Sequence, residues 1–260
     1  MKKIGIIGFG VMGSAIYKAL SKQYSKDDLR VFDSASEKLS DIDSAHRATS
    51  VEVCVENSDI VIICVKPQSF AELAKSIVGL CENRLVVSIM AGVTISRLKQ
   101  NLGAKKVIRT MPNIGLTVGR GVVGWIADGI EIPEKDEIKS LFSLWGVEFE
   151  VEHEDMLDAL TALSGSGPAY FYYLAEILQE KAQELGFGGE QSALVARETL
   201  IGASTLLEKS NQSPAALRAQ VTSTGGTTEA ALDHLKHNGF DATFKSALDK
   251  ALMRAQELNK

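Results

Sequence analysis

The feature that most constrains the fold is a glycine pattern near the start of the chain. Gly8, Gly10 and Gly13 have Gly-x-Gly-x-x-Gly spacing, after the apolar run 4–7 and before a stretch with helical spacing. This combination predicts a strand, a tight turn and the first turn of a helix. The first glycine permits the turn, the second lets backbone approach a pyrophosphate, and the third lets helix and strand pack closely. The pattern indicates a dinucleotide site with the anion at the helix start, although a glycine-rich turn without a ligand has the same spacing.

Asp33 strengthens this interpretation. It closes the next apolar run, 29–32, and follows Gly13 by about 20 residues, where a dinucleotide fold places a ribose-binding acid. A simple helix cap is the alternative role for this carboxylate.

The order of apolar runs predicts the architecture. Residues 60–65 form the most apolar run, without polar alternation, which is typical of a parallel strand buried on both faces. Strand and helix signals alternate as far as residue 152, including a helix predicted over 34–43 and a short strand within 46–50, and only helices follow. We therefore expect an α/β chain with an N-terminal doubly wound Rossmann-type sheet, residues 1–152, and a C-terminal all-helical domain, residues 153–260.

Two further predictions follow from this architecture. Lys66 and Pro67 end the buried run and should lie beside the cofactor, because ligands bind at the carboxyl ends of strands in such sheets. Residues 169–174 are apolar on more than one face of their helix. Because only about 110 residues of the helical domain are available to cover such a helix, we infer that another subunit supplies part of the cover.

Composition narrows the classes of partner. The 260 residues carry a formal net charge of −5, which gives no electrostatic footprint for nucleic acid or an anionic membrane and favours a small-molecule partner. Glycines interrupt the apolar start of the chain, and no run approaches the roughly 18 apolar residues of a membrane span. The chain has an odd number of cysteines, Cys54, Cys64 and Cys81, and their spacing is not that of metal ligands. We therefore expect the three cysteines to be core residues and expect no metal site. The same observation favours a cytoplasmic protein.

Two stretches of the helical half carry hydroxyls and glycines that folding alone does not require. The pattern of the first, 163–170, predicts a flexible turn that leads into a helix with Pro168 at its first position. The second, 221–230, has five hydroxyls around a Gly-Gly pair before another helix. Helix starts of this kind accept a carboxylate or a phosphate, while helix capping is the simpler alternative.

With these segments in view, the chain resembles the pyrroline-5-carboxylate reductases over essentially its full length. The residues that carry the resemblance are 8–13, 65–68, 91–96, 109–113, 163–170 and 221–228. The resemblance implies NAD(P)H-dependent reduction of 1-pyrroline-5-carboxylate to L-proline, the last step of proline biosynthesis. It also implies a homodimer with interlocked helical domains, often assembled further into a ring such as a decamer built from dimers.

The same resemblance assigns site residues. The cofactor-binding residues that it implies are Gly8, Phe9, Gly10, Val11, Met12, Gly13, Asp33, Ser34, Val65, Lys66, Pro67, Ala91 and Gly92. The substrate-binding residues that it implies are Asn113, Ser164, Gly165, Ser166, Gly167, Pro168, Gly225, Gly226, Thr227 and Thr228. Thr228 is the expected catalytic residue, which hydrogen-bonds the imine nitrogen.

The two hydroxyl-rich stretches contain neither histidine nor lysine, side chains that often act as general acids or bases, and this agrees with the chemistry of imine reduction. An alcohol or ketone substrate would need a general acid or base. A cyclic imine can arrive already protonated and needs only correct placement against the hydride donor.

Three departures from the family pattern affect the assignments. Ile114-Gly115 stand where members commonly have Thr-Pro, which puts the role of Asn113 in doubt, and Thr224 replaces a proline before Gly225. Asp33-Ser34 replace a pair that ends in arginine in many members. A carboxylate there would accept hydrogen bonds from a free ribose and repel a 2′-phosphate, which favours NADH over NADPH, although Ser34 could still contact a phosphate.

Two other functions fit parts of the sequence. A 3-hydroxyacid dehydrogenase of the 6-phosphogluconate dehydrogenase type has a similar glycine loop, but relies on a helix-borne lysine where this chain has Gly-Ser-Gly-Pro. A non-catalytic sensor that binds a nicotinamide nucleotide is the second alternative, and the hydroxyl-rich substrate turns argue against it.

Overall fold

The computed structural model describes residues 2–25 and 27–259. The strands are Ile4–Ile7 (β1), Leu29–Phe32 (β2), Ile60–Ile63 (β3), Leu85–Ser88 (β4), Lys106–Pro112 (β5), Gly121–Asp128 (β6) and Gly146–Glu150 (β7). The α-helices are Val11–Leu20 (α1), Val51–Glu56 (α2), Phe70–Ile77 (α3), Ile95–Leu102 (α4), Ile132–Phe142 (α5), Met156–Leu160 (α6), Gly167–Glu184 (α7), Gly189–Lys209 (α8), Pro214–Gln220 (α9), Thr227–His237 (α10) and Phe240–Glu257 (α11). Short 3₁₀ helices cover Ser36–Leu39, Ser44–His46, Pro67–Ser69 and Ile114–Val118, and a π-helical turn covers Thr161–Gly165.

The seven strands form one sheet in the order β2-β1-β3-β4-β5-β6-β7. Strands β1 to β5 are parallel, β6 is antiparallel to β5, and β7 is parallel to β6. The chain steps outward from β1 to β2 and then returns to the other side of β1 with β3. This reversal opens a crevice at the carboxyl ends of β1 and β3, where doubly wound sheets bind their ligands. The fold class expected from the sequence is confirmed.

The core lies on both faces of the sheet. All four residues of β3 are fully buried, as its unbroken apolar run predicts. Trp125 and Trp145 are fully buried among the side chains of one face, together with Phe142. Both tryptophans are therefore core residues.

The region between β2 and α2 differs from its sequence prediction. A helix was expected over 34–43, but only Ser36–Leu39 is helical, in the 3₁₀ form. The strand expected within 46–50 is reduced to a single bridge between Val31 and Arg47. Asp33 and Asp43 explain the difference, because each side chain accepts the N–H of the residue two positions on, a local turn that competes with a helix.

The chain forms two compact units. One contains the residues up to Ser166 together with those from Ala251 onward, and the other is Gly167–Lys250. The sheet ends before residue 152, where the sequence places the domain boundary, but α6 packs against β5 and β6 and so lies with the sheet. A Cβ at Gly124 would collide with the Leu160 side chain, which shows how closely this helix approaches β6.

The second unit is entirely helical, with α7 packed along α8. Within the described residues, no helix has both the length and the apolar character that a membrane crossing requires.

Candidate functional site

The loop between β1 and α1 has the geometry that its glycines predict. Gly8 has φ of +96°, a backbone conformation that L side chains rarely adopt, and a Cβ there would lie 2.9 Å from the Cys64 carbonyl carbon. A Cβ at Gly13 would collide with the carbonyl oxygen of Gly8. Both positions therefore need glycine for the packing of the chain itself.

Gly10 is different, because a Cβ at this position would meet no atom within 4 Å. Gly10 is the N-cap of α1 without a side-chain cap, and the next residue, Val11, is 65% exposed. The first N–H groups of a helix have no partner inside it. Open space in front of an uncapped helix start fits the pyrophosphate of a dinucleotide.

Asp33 holds this loop from the end of β2. Its Oδ2 accepts the backbone N–H of Phe9 at 2.6 Å, its Oδ1 accepts that of Ala35 at 2.9 Å, and Lys38 Nζ lies 3.1 Å from Oδ1. Burial opposes ionisation of this carboxyl, but the bonds from Phe9, Ala35 and Lys38 outweigh it and lower the pKa. Asp33 therefore places a negative charge beside the loop and also caps the turn that follows.

A cavity of about 300 Å³ opens at this end of the sheet. It is lined by Ile7, Gly8, Phe32, Asp33, Ser34, Val51, Val65, Ser69, Glu72, Leu73 and Ser76. Four of these residues were predicted from the sequence: Gly8, Asp33, Ser34 and Val65. The other seven were missed, among them Ser69, Glu72, Leu73 and Ser76. Ser69 ends the 3₁₀ helix after β3, and Glu72, Leu73 and Ser76 lie on one face of α3; their spacing along the helix is the signal that could have found them.

The remaining predicted cofactor residues follow neighbouring strands. Lys66 is exposed and Pro67 begins a 3₁₀ helix just after β3, while Ala91 and Gly92 lie in the loop between β4 and α4. Because β3 and β4 are adjacent and parallel, both loops lie at the carboxyl edge of the sheet. Gly92 is buried and has φ of +73°.

Asn113 joins three segments at the end of β5. Its Oδ1 accepts the N–H groups of Gly115 at 3.1 Å and Val122 at 3.2 Å, and its Nδ2 donates to Ser164 Oγ at 2.9 Å and Ser164 O at 3.2 Å. The 3₁₀ helix that Asn113 caps packs against α1. The departure at Gly115 matters here, because a proline at this position would have no N–H to donate to Asn113.

The stretch around Ser164 is helical, which corrects the expected flexible turn. Residues Thr161–Gly165 form a π-helical turn, in which the Ser166 N–H reaches the Thr161 carbonyl at 2.8 Å. Such bulges make room inside a helix and are frequent at functional sites. A Cβ at Gly165 would lie 3.1 Å from the Met111 side-chain methyl, so this turn also lies close to the end of β5.

In the second unit, Gly167 is the first residue of α7 and Pro168 the second. Pro168 therefore lies one position later in the helix than the sequence predicts. The Gly-Gly segment of this unit leads into α10. Gly225 has φ of +71° and donates its N–H to Glu229 Oε2 at 2.6 Å, while Gly226 is the N-cap of α10.

The two threonines after this cap differ in exposure. Thr227 is exposed, and Thr228, the second residue of α10, is half-buried. Within the described residues the Thr228 hydroxyl has no hydrogen-bond partner, so it is free to meet a ligand. A Cβ at Gly226 would collide with the Ser223 hydroxyl, so the pair of glycines is required by this loop.

Other candidate centres have less support. A larger groove of about 940 Å³ lies between α7 and α8 and contains none of the predicted site residues. Burial raises the pKa of Cys54 to about 12 and of Cys81 to about 11, and also raises that of Cys64, so these thiols stay protonated at neutral pH. No cluster of three or more metal-binding side chains lies within the described part of the chain.

Comparison with known proteins gives matches along nearly the whole chain. The family model described as pyrroline-5-carboxylate reductase dimerisation matches residues 154–258, and the model described as NADP oxidoreductase coenzyme F420-dependent matches residues 3–92. A pyrroline-5-carboxylate reductase of Aquifex aeolicus is 34% identical over 98% of this chain and 97% of its own length. The structure is similar to that of a pyrroline-5-carboxylate reductase from Coxiella burnetii, with 31% identity, a TM-score of 0.91 and coverage of 100% of this chain and 99% of the other. It is also similar to that of a Plasmodium falciparum pyrroline carboxylate reductase with NADP bound, with 26% identity, a TM-score of 0.89 and coverage of 100% and 98%.

Proposed function

The chain belongs to the pyrroline-5-carboxylate reductase family, and from that membership we propose that it reduces 1-pyrroline-5-carboxylate to L-proline with a nicotinamide dinucleotide. The observation that carries this proposal is similarity over 98% of the chain, which includes both the dinucleotide end and the helical half. The other two functions considered from the sequence gain no support from these relatives.

The dinucleotide site is proposed at the carboxyl edge of the sheet. The uncapped start of α1 and the open space at Gly10 fit a pyrophosphate, and the cavity beside Asp33 fits the adenosine half. Val65, Lys66, Pro67, Ala91 and Gly92 are proposed to line the nicotinamide half. When bound, the cofactor supplies the hydride.

The substrate residues are proposed to act by placement. Within the Gly225–Thr228 segment, Thr227 and Thr228 begin α10 and offer their backbone N–H groups to the substrate carboxylate, and the Thr228 hydroxyl is offered to the ring nitrogen. Asn113 fixes the π-helical turn at Ser164 beside the end of β5. A protonated cyclic imine needs no acid from the chain, so orientation is the main contribution of these residues.

The cofactor preference is proposed to be NADH over NADPH. Asp33 remains ionised at neutral pH because its pKa is lowered, and a fixed negative charge repels a 2′-phosphate. Lys38 offsets part of this charge, so we expect a modest preference.

The protein is proposed to act as a homodimer, with a decamer built from dimers as the larger assembly. The match to the dimerisation model and the apolar side chains that α7 exposes support the dimer.

Turnover of the full-length protein with 1-pyrroline-5-carboxylate tests the activity. We expect formation of L-proline coupled to the oxidation of NADH and, less efficiently, of NADPH. Absence of proline formation with both cofactors would contradict the proposed reaction, and a higher kcat/KM with NADPH would contradict the preference.

Thr228→Ala tests the role of the hydroxyl, and Thr228→Ser is its matched control because it keeps the oxygen. We expect Thr228→Ala to lower kcat/KM for the imine by about 10²-fold, in line with loss of a positioned hydrogen bond at the reacting centre, and to leave NADH affinity unchanged. Thr228→Ser should retain most of the activity. Equal turnover of the alanine variant and the unmodified protein would rule out this role.

A further inference from the structure

The segment after α11 lies on a loop of the proposed cofactor site. A Cβ at Gly92 would collide with the carbonyl oxygen of Leu258 and would lie 2.6 Å from its carbonyl carbon. The backbone of Leu258 therefore covers Gly92 directly. Leu258 itself is 37% exposed, so burial of its side chain does not explain why its backbone stays there.

Asn259 supplies the anchor. Its Nδ2 donates to Asp158 Oδ2 at 2.5 Å, and its Oδ1 lies 3.4 Å from Arg109 Nη2, which donates to it. Arg109 is buried and also donates to Asp158 Oδ1 at 2.9 Å. The amide thus completes a buried network of opposite charges, an environment in which polar groups must be paired.

The same network holds the other end of the loop. Glu154 Oε1 accepts from Arg109 Nη1 at 3.0 Å and from the backbone N–H of Ile95 at 2.8 Å. Ile95 is the first residue of α4, three positions after Gly92. The loop between β4 and α4 is therefore held at Gly92 by Leu258 and at Ile95 by Glu154, and Arg109 connects the two contacts.

We infer that Asn259 is a positioning residue for the nicotinamide end of the cofactor site. It acts through Leu258, whose backbone sets the conformation of the Gly92 loop, and it does not itself touch the cofactor. This role rests on the proposed function, which places Gly92 in the site.

Asn259→Ala in the full-length protein tests the role, with Asn101→Ala as the matched control. Asn101 lies at the exposed end of α4 and donates one side-chain hydrogen bond to Arg97 O. We expect Asn259→Ala to raise the NADH dissociation constant, measured by fluorescence titration, about five- to tenfold, the effect of losing one or two hydrogen bonds. The KM for NADH should rise with it and the melting temperature should fall, because the buried network loses the amide, while kcat and the KM for the imine stay close to those of the control.

Hydrogen–deuterium exchange without cofactor gives a second readout. Amides 89–95 should exchange faster in Asn259→Ala and in a chain that lacks residues 258–260, but not in Asn101→Ala. Unchanged NADH affinity in Asn259→Ala, or unchanged exchange of these amides in both variants, would overturn the inference. If the unmodified protein neither binds nor oxidises NADH or NADPH, the proposed function fails instead, and this outcome is distinguishable because it needs no variant.

Discussion

Asp33 links the second strand to the glycine loop through one carboxylate. Oδ2 accepts the Phe9 N–H and Oδ1 the Ala35 N–H, so both oxygens are engaged by the chain itself. The sequence suggested two separate roles for this residue, a ribose acceptor and a cap. In the structure Asp33 closes a local turn through the Ala35 N–H, ahead of the 3₁₀ helix whose N-cap is Ala35, and it also binds the Phe9 N–H. Its fixed negative charge is the property that remains for cofactor selection.

Asp33→Asn tests the charge and the brace together. Because the pKa of Asp33 is lowered in the folded state, its contribution to stability is complete above the unfolded-state pKa of about 3.9 and is lost as pH falls through the folded value. We expect the variant to lose about 1.5–3 kcal/mol of unfolding free energy at pH 7, the value of hydrogen bonds to a charged group. This difference should stay constant between pH 5 and 8 and shrink below about pH 4.

Denaturant unfolding at several pH values measures the difference, and steady-state kinetics with both cofactors measure selectivity. The ratio of kcat/KM for NADH to that for NADPH should fall in Asp33→Asn. A ratio equal to that of the unmodified protein would leave Asp33 with a structural role alone, and a stability difference as large at pH 3 as at pH 7 would contradict the assigned pKa direction.

Gly10 and Gly13 lie in the same loop, but a substitution at each should affect a different property: cofactor binding at Gly10 and stability at Gly13. A Cβ at Gly13 collides with Gly8 O, whereas a Cβ at Gly10 meets nothing. We expect Gly13→Ala to cost about 1–3 kcal/mol of stability through overpacking. Gly10→Ala should leave the melting temperature nearly unchanged and weaken NADH binding at least tenfold, because its methyl group enters the space proposed for the pyrophosphate. Thermal unfolding and NADH titration of the two variants check this, and tight NADH binding by Gly10→Ala would refute the position of the pyrophosphate.

At the level of elements, Asn113 connects β5, the 3₁₀ helix Ile114–Val118 and the π-helical turn. The amide oxygen of Asn113 accepts hydrogen bonds from two backbone N–H groups, and the amide nitrogen donates to two oxygens of Ser164. The 3₁₀ helix also packs against α1. A single side chain thus ties the proposed substrate turn to the element that packs on the cofactor helix.

Asn113→Asp is the sharpest test of this connection, because it keeps the accepting oxygen and replaces the donor by a second acceptor. We expect the carboxylate to repel the Ser164 carbonyl and lower kcat/KM for the imine by roughly 10²-fold, the cost of a misplaced site, with NADH affinity nearly unchanged. Ser164→Ala is the matched variant, since it removes only one of the two acceptors and should have a smaller effect. Steady-state kinetics of Asn113→Asp and Ser164→Ala test this prediction. If Asn113→Asp lowers NADH affinity and imine turnover by the same factor, the variant has unfolded this region and the specific connection is not supported.

Elements with a strong periodic signal could be predicted from the sequence, and elements set by side-chain hydrogen bonds could not. The apolar run of β3 and the glycine spacing before α1 leave few alternatives, and both agree with the structure. The segment 34–50 depends on Asp33 and Asp43 binding local N–H groups, which no apolar pattern records. The π-helical turn at Ser164 depends on an i to i+5 bond that hydrophobic periodicity does not reveal.

The candidate site was predictable to a similar extent. Residues of the glycine loop and the strand ends follow from the rule that ligands bind at the carboxyl edge. Glu72 and Ser76 reach the same cavity only because α3 turns one face toward it, and this orientation depends on tertiary packing. The inferred role of Asn259 could not be predicted from the sequence, because its partner Arg109 is 150 residues away in the chain.

At the scale of the whole molecule, the helical unit exposes apolar side chains that a monomer has no reason to keep in water. On α7 these include Phe171, Tyr172, Tyr173, Leu174, Ile177 and Leu178. They lie on more than one face of the helix, as the sequence indicated, and contiguous exposed apolar surface of this kind marks an association site. Because a homo-oligomer buries the same surface on each copy, a second copy of the chain is the partner that fits.

Ile177→Glu tests this association, with Gln100→Glu on the exposed side of α4 as the charge-matched control. A carboxylate buried in an apolar interface costs several kcal/mol unless it finds a partner. We therefore expect light scattering after size exclusion to give at least twice the chain mass for the unmodified protein and for Gln100→Glu, and a shift toward the monomer for Ile177→Glu. Imine turnover should fall with the mass, because α7 then loses the cover that the second subunit provides. A monomeric unmodified protein with full activity would show that the helical unit is complete within one chain.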